Sequence, residues 1–367
     1  MPRPDPAALA RPHSPVHDVV AAVARRVPAR TAVRTGTDAV TYRELDLWAG
    51  QIARRLTAAG VGRGDRVGVL VEPSPALVAA ALGALRAGAA YVPLDPATPA
   101  GDLGAALSGV AVRCVVTRGA DTGATRPGGP GAGRLPTLAV EPYAALPAPV
   151  PGPEREGAAS PVSGPDGPAC VAVPLPRGPG APVGVVVTHA ELSAAMTTRR
   201  ALCPGTPVLL LTEPLAHEAA AAGLWATLAA GGRLILAGAE QTRAPGALAG
   251  LVERHRVTQL LCTSALFEDL LGAAGGPGLR QQLRTLDTVT LAAGPPPASL
   301  LDRHEALLGR TVALVDLTRS PTTAPATGAT GAAFDADARG RFGRPDAVVR
   351  CLARPTARTR SGAVPAR

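Results

Sequence analysis

Apolar residues recur at helical spacing after Thr41, at Leu45, Trp48, Ala49, Ile52 and Leu56, and then give way to DRVGVLVE (65–72), which reads as a buried strand. The next segment, PALVAAALGALRAG, places Leu77, Val78, Ala81, Leu82 and Leu85 on one helical face and ends on Gly88, a natural helix terminator, before the strand-like AAYVPLDP. RCVVT (113–117) is a third short strand. Helices and strands in alternation imply a mostly parallel sheet covered on both faces, an α/β unit spanning residues 16–117.

The pattern then lapses. Residues 118–168, which include RGADTGATRPGGPGAGRLPT, carry little periodicity and read as a Gly/Pro-rich connection with one short strand around Leu138. Periodicity returns over residues 169–320 as a second α/β unit, with strand-like runs at 183–189, 207–213, 232–238, 257–263, 286–293 and 311–317 separated by helical segments. At its start, CVAVPLPRGPGAPVGVVVTH (170–189) has a strand on each side of a Gly/Pro-rich loop, the layout of a phosphate-cradling turn. Residues 1–15 and 321–367 read as low-order termini, the latter with a short strand near 346–352.

Composition narrows the function classes. A chain of 367 residues with 46% hydrophobic content is long enough for two or three packed units with real cores. The net charge of +9 comes from arginines spread along the chain, and aromatics are only 2%, so no stacking platform accompanies them; the charge reads as a solvated basic surface and not a nucleic-acid site. All 37 basic residues are arginine, because the chain contains no lysine. That excludes a Walker-type lysine, a Schiff-base lysine and any lysine acting on a phosphate. The five cysteines (Cys114, Cys170, Cys203, Cys262, Cys351) form no CxxC pair and read as buried free thiols in a reducing compartment, with no zinc site. No signal peptide and no uninterrupted apolar run of membrane-spanning length is visible, so a cytoplasmic protein without membrane partners is expected.

Common catalytic signatures are missing. There is no GxSxG elbow and no GxGxxG after a strand, and the His217-Glu218 and His304-Glu305 pairs lack a second histidine four residues on. Both pairs read as helix-surface residues.

TYREL (41–45) followed by GVGRGDRVGVLVEPSPALVAAALGALRAGAAYVPLDP (60–96) closely resembles the opening of the amino-acid adenylation domains of nonribosomal peptide synthetases, members of the adenylate-forming superfamily. The resemblance continues through VTQLLCTSALFEDLL, LRTLDTVTLAAGPPPASLLDRHEALLG and GRPDAVVRCL, in the family's order, from Val16 to about Leu352. It implies two layered α/β subdomains with mostly parallel sheets. It also implies that the loop after Cys170 descends from a Ser/Thr/Gly-rich stretch, ending in Pro-Lys-Gly, that holds the ATP phosphates. Here the hydroxyls are gone, Val183 stands at the lysine position, and Arg177, Gly178 and Gly180 are what remains of the nucleotide loop. Prolines there also remove the N–H donors a phosphate nest needs.

Other positions depart similarly. The family's Phe-Asp-x-Ser segment, whose Asp meets the substrate ammonium, falls on His217 to Ala220, making Glu218 the ammonium candidate on a longer arm. The Gly-Gly-Glu turn near adenine becomes Ala293, Gly294, Pro295, and Asn-x-Tyr-Gly-Pro-Thr-Glu becomes DLTRSPTTA, leaving Asp316 and Thr322 as markers of the old site without the adenine-stacking aromatic or the magnesium carboxylate. The resemblance further implies that the family's β-barrel portion and small mobile domain with its catalytic lysine are missing. The expectation is a degenerate, inactive adenylation domain of peptide or related secondary-metabolite biosynthesis, with no catalytic or metal-binding residue. ATP and magnesium bind only if the ancestral site is retained. Partners would be a synthetase, carrier or accessory protein, or a second copy. Two other readings stay open at this point: an active adenylating subunit completed by a partner chain, and a gene remnant.

Overall fold

A computed structural model describes residues 14–36, 38–118, 135–143, 164–173, 185–203, 205–272, 277–292, 296–308 and 313–316. In chain order the first part contains α1 (Val16–Arg26), β1 (Thr31–Arg34), β2 (Ala39–Thr41), α2 (Tyr42–Ala58), β3 (Arg66–Leu70), α3 (Pro75–Arg86), β4 (Ala90–Leu94), α4 (Ala100–Gly109), β5 (Cys114–Thr117), β6 (Thr137–Ala139), β7 (Pro168–Ala172) and β8 (Val185–Thr188). The rest contains α5 (His189–Leu202), β9 (Val208–Leu211), α6 (Glu218–Ala229), β10 (Arg233–Leu236), α7 (Ala239–Arg243), α8 (Pro245–His255), β11 (Gln259–Cys262), α9 (Ser264–Gly272), α10 (Pro277–Leu283), β12 (Thr288–Leu291), α11 (Ala298–Leu308) and β13 (Ala313–Asp316).

Local chemistry explains where the helices begin and end. Thr41 and Glu44 form a reciprocal cap on α2: the Glu44 N–H donates to Thr41 Oγ1 at 3.2 Å, and the Thr41 N–H donates to Glu44 Oε2 at 2.7 Å. The same device, Thr188 with Glu191, starts α5. Gly88 adopts φ +81° just beyond α3, the left-handed conformation that closes a helix most readily on glycine. Gly83, inside α3, lets that helix approach α2: a Cβ there would stand 2.7 Å from Ile52 Cγ2.

The strands assemble into two sheets, in the orders β6-β5-β3-β4-β7-β8 and β13-β12-β11-β9-β10-β1-β2. All pairings are parallel except the β7/β8 and β1/β2 hairpins. The early hairpin β1/β2 joins the second sheet through β10, with Val33 opposite Leu234, while β7 joins the first sheet through β4, with Tyr91 opposite Cys170. The chain therefore passes between the sheets more than once.

Because successive strand residues point to opposite faces, each apolar run feeds two cores. Val67, Val69, Tyr91, Cys114 and Val116 of the first sheet share one core with Leu209, Leu211, Leu234, Leu236 and Leu261 of the second, with α2, α3 and α6 in the same cluster. The alternate residues Leu210, Ile235, Leu260, Cys262, Val289 and Leu291 pack instead with α8 to α11. Val92, Leu94, Val115 and Val171 pack with α4. Two hydrogen bonds cross the shared core: Trp225 Nε1 of α6 donates to the Tyr91 hydroxyl at 2.9 Å, and the Tyr42 hydroxyl of α2 donates to the Gly232 carbonyl at 2.8 Å. Cys114, Cys170, Cys203 and Cys262 are buried free thiols; Cys351 lies outside the described residues. His304 corrects the sequence reading. It is 1% exposed, with its ring 5.8 Å from Phe267, because α11 turns this residue toward α9 and not to solvent.

A buried histidine pair joins α1 to α5. The rings of His17 and His189 lie 6.0 Å apart at 72°, and neither ring nitrogen of His17 makes a hydrogen bond, although Asp18 Oδ1 stands 3.8 Å from Nε2. Burial lowers His17 to about 4; Asp18 opposes that shift, while His189 and Arg86 add to it. His189 is lowered as well. A histidine that prefers the neutral form when folded binds fewer protons than it does unfolded, so stability falls as pH drops from the unfolded value near 6.5 through 4. The expected slope is ~1.4 kcal/mol per pH unit in that window. Urea titrations from pH 7 to 4 should show it, and His17→Leu should flatten it.

Candidate functional site

In open α/β sheets a ligand crevice forms outside the carboxyl ends of the strands, where successive connections leave in opposite directions. The second sheet has such a point. From β9 the chain passes through α6 to β10 on one side, then returns through α7 and α8 to β11 on the other. The carboxyl ends of β9 and β11 flank the crevice.

Thr212 and Glu213 follow β9, and Thr263 follows β11. The Thr212 N–H and hydroxyl both donate to the Leu261 carbonyl, at 3.2 and 2.9 Å, which ties the two strand ends together. Thr263 Oγ1 accepts from the Leu266 N–H at 3.1 Å and so caps α9. Between these stands Glu213, whose side chain is only 7% exposed, with the His217 Nδ1 3.8 Å from its carboxylate. Burial raises the Glu213 carboxyl above its ordinary value; His217, the Thr263 backbone and the nearby Thr212 side chain oppose the shift. Half-exposed His217 is the residue immediately before α6. The arrangement is an acid with an adjacent imidazole, able to accept hydrogen bonds from a donor or to attract a cation.

The sequence-derived residues distribute as follows. Glu218 opens α6 beside this crevice, and Asp316 ends β13 in register with Leu291. Both therefore lie on the same carboxyl edge, but β9 and β13 are three strand positions apart, about 14 Å at ordinary strand spacing, so they share an edge without sharing a contact. Arg177, Gly178, Gly180, Gly294 and Thr322 lie outside the described residues, as does Val183. The hairpin that carries the loop is described: β7 and β8 form the margin of the first sheet, where Val185 and Val186 are 55% and 44% exposed.

Glu213 is the residue that sequence reading passed over. Its signal was a single acid at the end of the apolar run PVLLLTE, but only the strand order places that run at the crevice. A raised carboxyl pKa means that the ionised form is disfavoured by folding, so Glu213→Gln is expected to raise the melting temperature at pH 7.5. The difference should shrink as pH falls through the folded-state value and vanish only below the ordinary carboxyl value of 4.5, where Glu213 is protonated in both states. Among the described residues no cluster of His, Cys, Asp and Glu could hold a metal ion, and no helix is long and apolar enough to cross a membrane.

Comparison with known proteins fits this architecture. The family profile described as AMP-binding enzyme matches residues 20–162 and 179–348. Syringomycin synthase SyrB1 of Pseudomonas syringae pv. syringae is 28% identical over 300 residues, covering 80% of this chain and 46% of its own. Isonitrile lipopeptide synthase of Mycobacterium tuberculosis is 29% identical over 251 residues, covering 68% of this chain and 9% of its own. Among solved structures, the nonribosomal peptide synthetase FmoA3 in its alpha-methyl-L-serine-AMP bound form superposes with a TM-score of 0.71 at 28% identity, covering 83% of this chain and 33% of that one. The chain thus spans less than half the length of each of these relatives.

Proposed function

The chain belongs to the AMP-binding enzyme family, among relatives that are nonribosomal peptide synthetase adenylation domains, and we propose that it is a degenerate member that does not activate amino acids and acts through a protein partner. The observation that carries this reading is the absence of lysine from all 367 residues, with Val183 where the resemblance requires a phosphate-binding lysine.

Amino-acid adenylation joins a carboxylate oxygen to the α-phosphorus of ATP and breaks the bond to pyrophosphate, so negative charge grows on the leaving group and on the phosphoryl oxygens. A site performs that step by aiming fixed positive charge and N–H dipoles at those atoms. In the loop before β8, Pro174, Pro176, Pro179 and Pro182 carry no N–H, and Arg177 is the only cationic side chain. At the crevice, the buried Glu213 adds an acid, which repels phosphate oxygens. Magnesium fits no better: the segment Asp316 to Ala324, where the family's magnesium glutamate falls, keeps no such carboxylate, and among the described residues no cluster of His, Cys, Asp and Glu could hold a metal ion.

A partner is supported by the β8 margin, where Val185 and Val186 stand exposed, and by the net charge of +9, which favours encounter with an acidic carrier or accessory protein. The test has two arms. Magnesium-ATP should leave the melting curve of the purified protein unmoved, and an acidic carrier protein of the same biosynthetic pathway should form a complex that weakens with salt. A saturable rise in melting temperature with ATP would overturn the inactive-site reading.

A further inference from the structure

Arginines from several elements gather around the start of β10. Arg26, in the last turn of α1, and Arg30 both approach Gly231: a Cβ there would stand 3.9 Å from Arg26 Nη2 and 3.8 Å from Arg30 Nη1, and Arg30 Nη1 donates to the Gly231 carbonyl at 3.0 Å. Arg233 opens β10, and its Nη2 donates to the His255 carbonyl at the end of α8 at 2.6 Å. Arg34 ends the neighbouring β1, opposite Ile235. Burial lowers the His255 imidazole below its ordinary value, and Arg34, Arg233 and Arg254 lower it further, so these three cations act on one ring. Among the described residues none of these arginines forms an ion pair, and α8 carries a single acid, Glu253.

Directly after α8, the exposed Arg256 holds φ +51°. Gly60, Gly88 and Gly231 take that left-handed conformation after α2, α3 and α6, where glycine adopts it at least cost. After α8 the chain keeps a cation instead. The helix ends account for only part of the charge. The C-termini of α1, α6 and α8 each carry about half a unit of negative charge, which together offset about one and a half of the positive charges gathered here. Arg26, Arg30, Arg254 and Arg256 are exposed, and Arg34 and Arg233 are half-buried. The face therefore presents positive charge to solvent with little to balance it.

We propose that this face docks an acidic protein surface, whose carboxylates are received by Arg26, Arg254 and Arg256 while Arg34 and Arg233 add to the field. The inference rests on the reading that the chain acts through an acidic partner, and it adds where that partner sits: on the second sheet, apart from the β8 margin of the first. A planar guanidinium meets both oxygens of a carboxylate at once. Other polyanions fit less well. Among the described residues every Trp, Tyr and Phe is buried or half-buried, so none offers its ring to a nucleic-acid base. The exposed large hydrophobic residues, Val185 and Val186, lie on the first sheet, so no apolar anchor on this face enters a lipid surface.

The probe is a fluorescent poly-L-glutamate peptide followed by anisotropy, compared with single-stranded DNA of equal charge and with phosphatidylserine vesicles. The peptide should bind saturably and weaken with salt. Arg26→Glu, Arg254→Glu and Arg256→Glu together should weaken it about tenfold or more, the loss of several exposed ion pairs at once. Arg43→Glu, Arg54→Glu and Arg63→Glu, an equal change of net charge at exposed positions in α2 and before β3, should weaken it about twofold or less. Arg256→Gly should raise the melting temperature and yet weaken binding, a split that a merely structural arginine does not produce. If the first triple variant fails to fold, the same three positions changed to Gln, together with Arg256→Gly, decide. Equal losses in the two triple variants, wild-type binding by Arg256→Gly, or DNA or vesicles held more tightly than the peptide by these same arginines would each overturn the proposal. Peptide binding that maps to these arginines supports this face even where the carrier protein fails to bind, so failure of the carrier reading and failure of this one are distinguishable.

Discussion

Purified protein supplied with ATP, magnesium and each proteinogenic amino acid in turn is expected to show no ATP–pyrophosphate exchange above a control without enzyme, and Val183→Lys is expected to leave that result unchanged. Losing one preorganised donor from a transition-state site lowers rate by about a hundredfold to a thousandfold. Here the loss is compound: the loop has no hydroxyl between Pro174 and Val183, four of its positions are proline, and no lysine occurs anywhere in the chain. Since each tenfold in rate corresponds to about 1.4 kcal/mol of barrier, one restored ammonium recovers only part of a deficit spread over several groups. Amino-acid-dependent exchange in the wild-type protein would sink the inactive reading. Exchange that emerges with Val183→Lys alone would show that the rest of the site is intact.

Replacing Trp225 with alanine is expected to be the most damaging single change to the fold. Trp225 is fully buried in α6, meets the Tyr91 ring at 6.0 Å and 65°, and donates its indole N–H to the Tyr91 hydroxyl across the core shared by the two sheets. Tyr91 is itself fully buried, and burial pushes its hydroxyl well above the ordinary phenol range, with the Cys170 thiol close by. Trp→Ala removes the packing and orphans a buried hydroxyl, for a loss of ~3–5 kcal/mol. Trp225→Phe keeps most of the volume but not the donor and should lose about 1–3 kcal/mol. Urea midpoints measure both. A loss below about 1 kcal/mol for Trp225→Ala would mean that this contact does not hold the two sheets together.

The legible part of the site was its ancestry. The family profile that matches the chain is that of the family which the N-terminal motif suggested. Glu213 was not legible, because nothing in PVLLLTE distinguishes an acid that leaves a strand into solvent from one that turns into a crevice. The basic face was hidden for a related reason. In an arginine-rich chain each arginine looks like one more solvated charge, and only the pairing of β1 with β10 brings Arg34 into the range of Arg233.

By itself the sequence determined the kinds of element and most of their positions. Apolar spacing of two or three to four residues reports directly whether a segment has one buried face or two, and capping residues such as Thr41 and Glu44 act within four residues of one another. The α/β class follows from that alternation alone. Which strands become neighbours was decided only in three dimensions. β1 pairs with β10 about two hundred residues away, and β7, while still paired with the following β8, takes β4 as its other neighbour across the intervening β5 and β6. Every parallel strand here offers the same short apolar run and the same row of backbone donors and acceptors, so local pattern cannot choose among partners. The choice rests on the summed burial of both faces of each sheet, a quantity that exists only once the whole chain has packed.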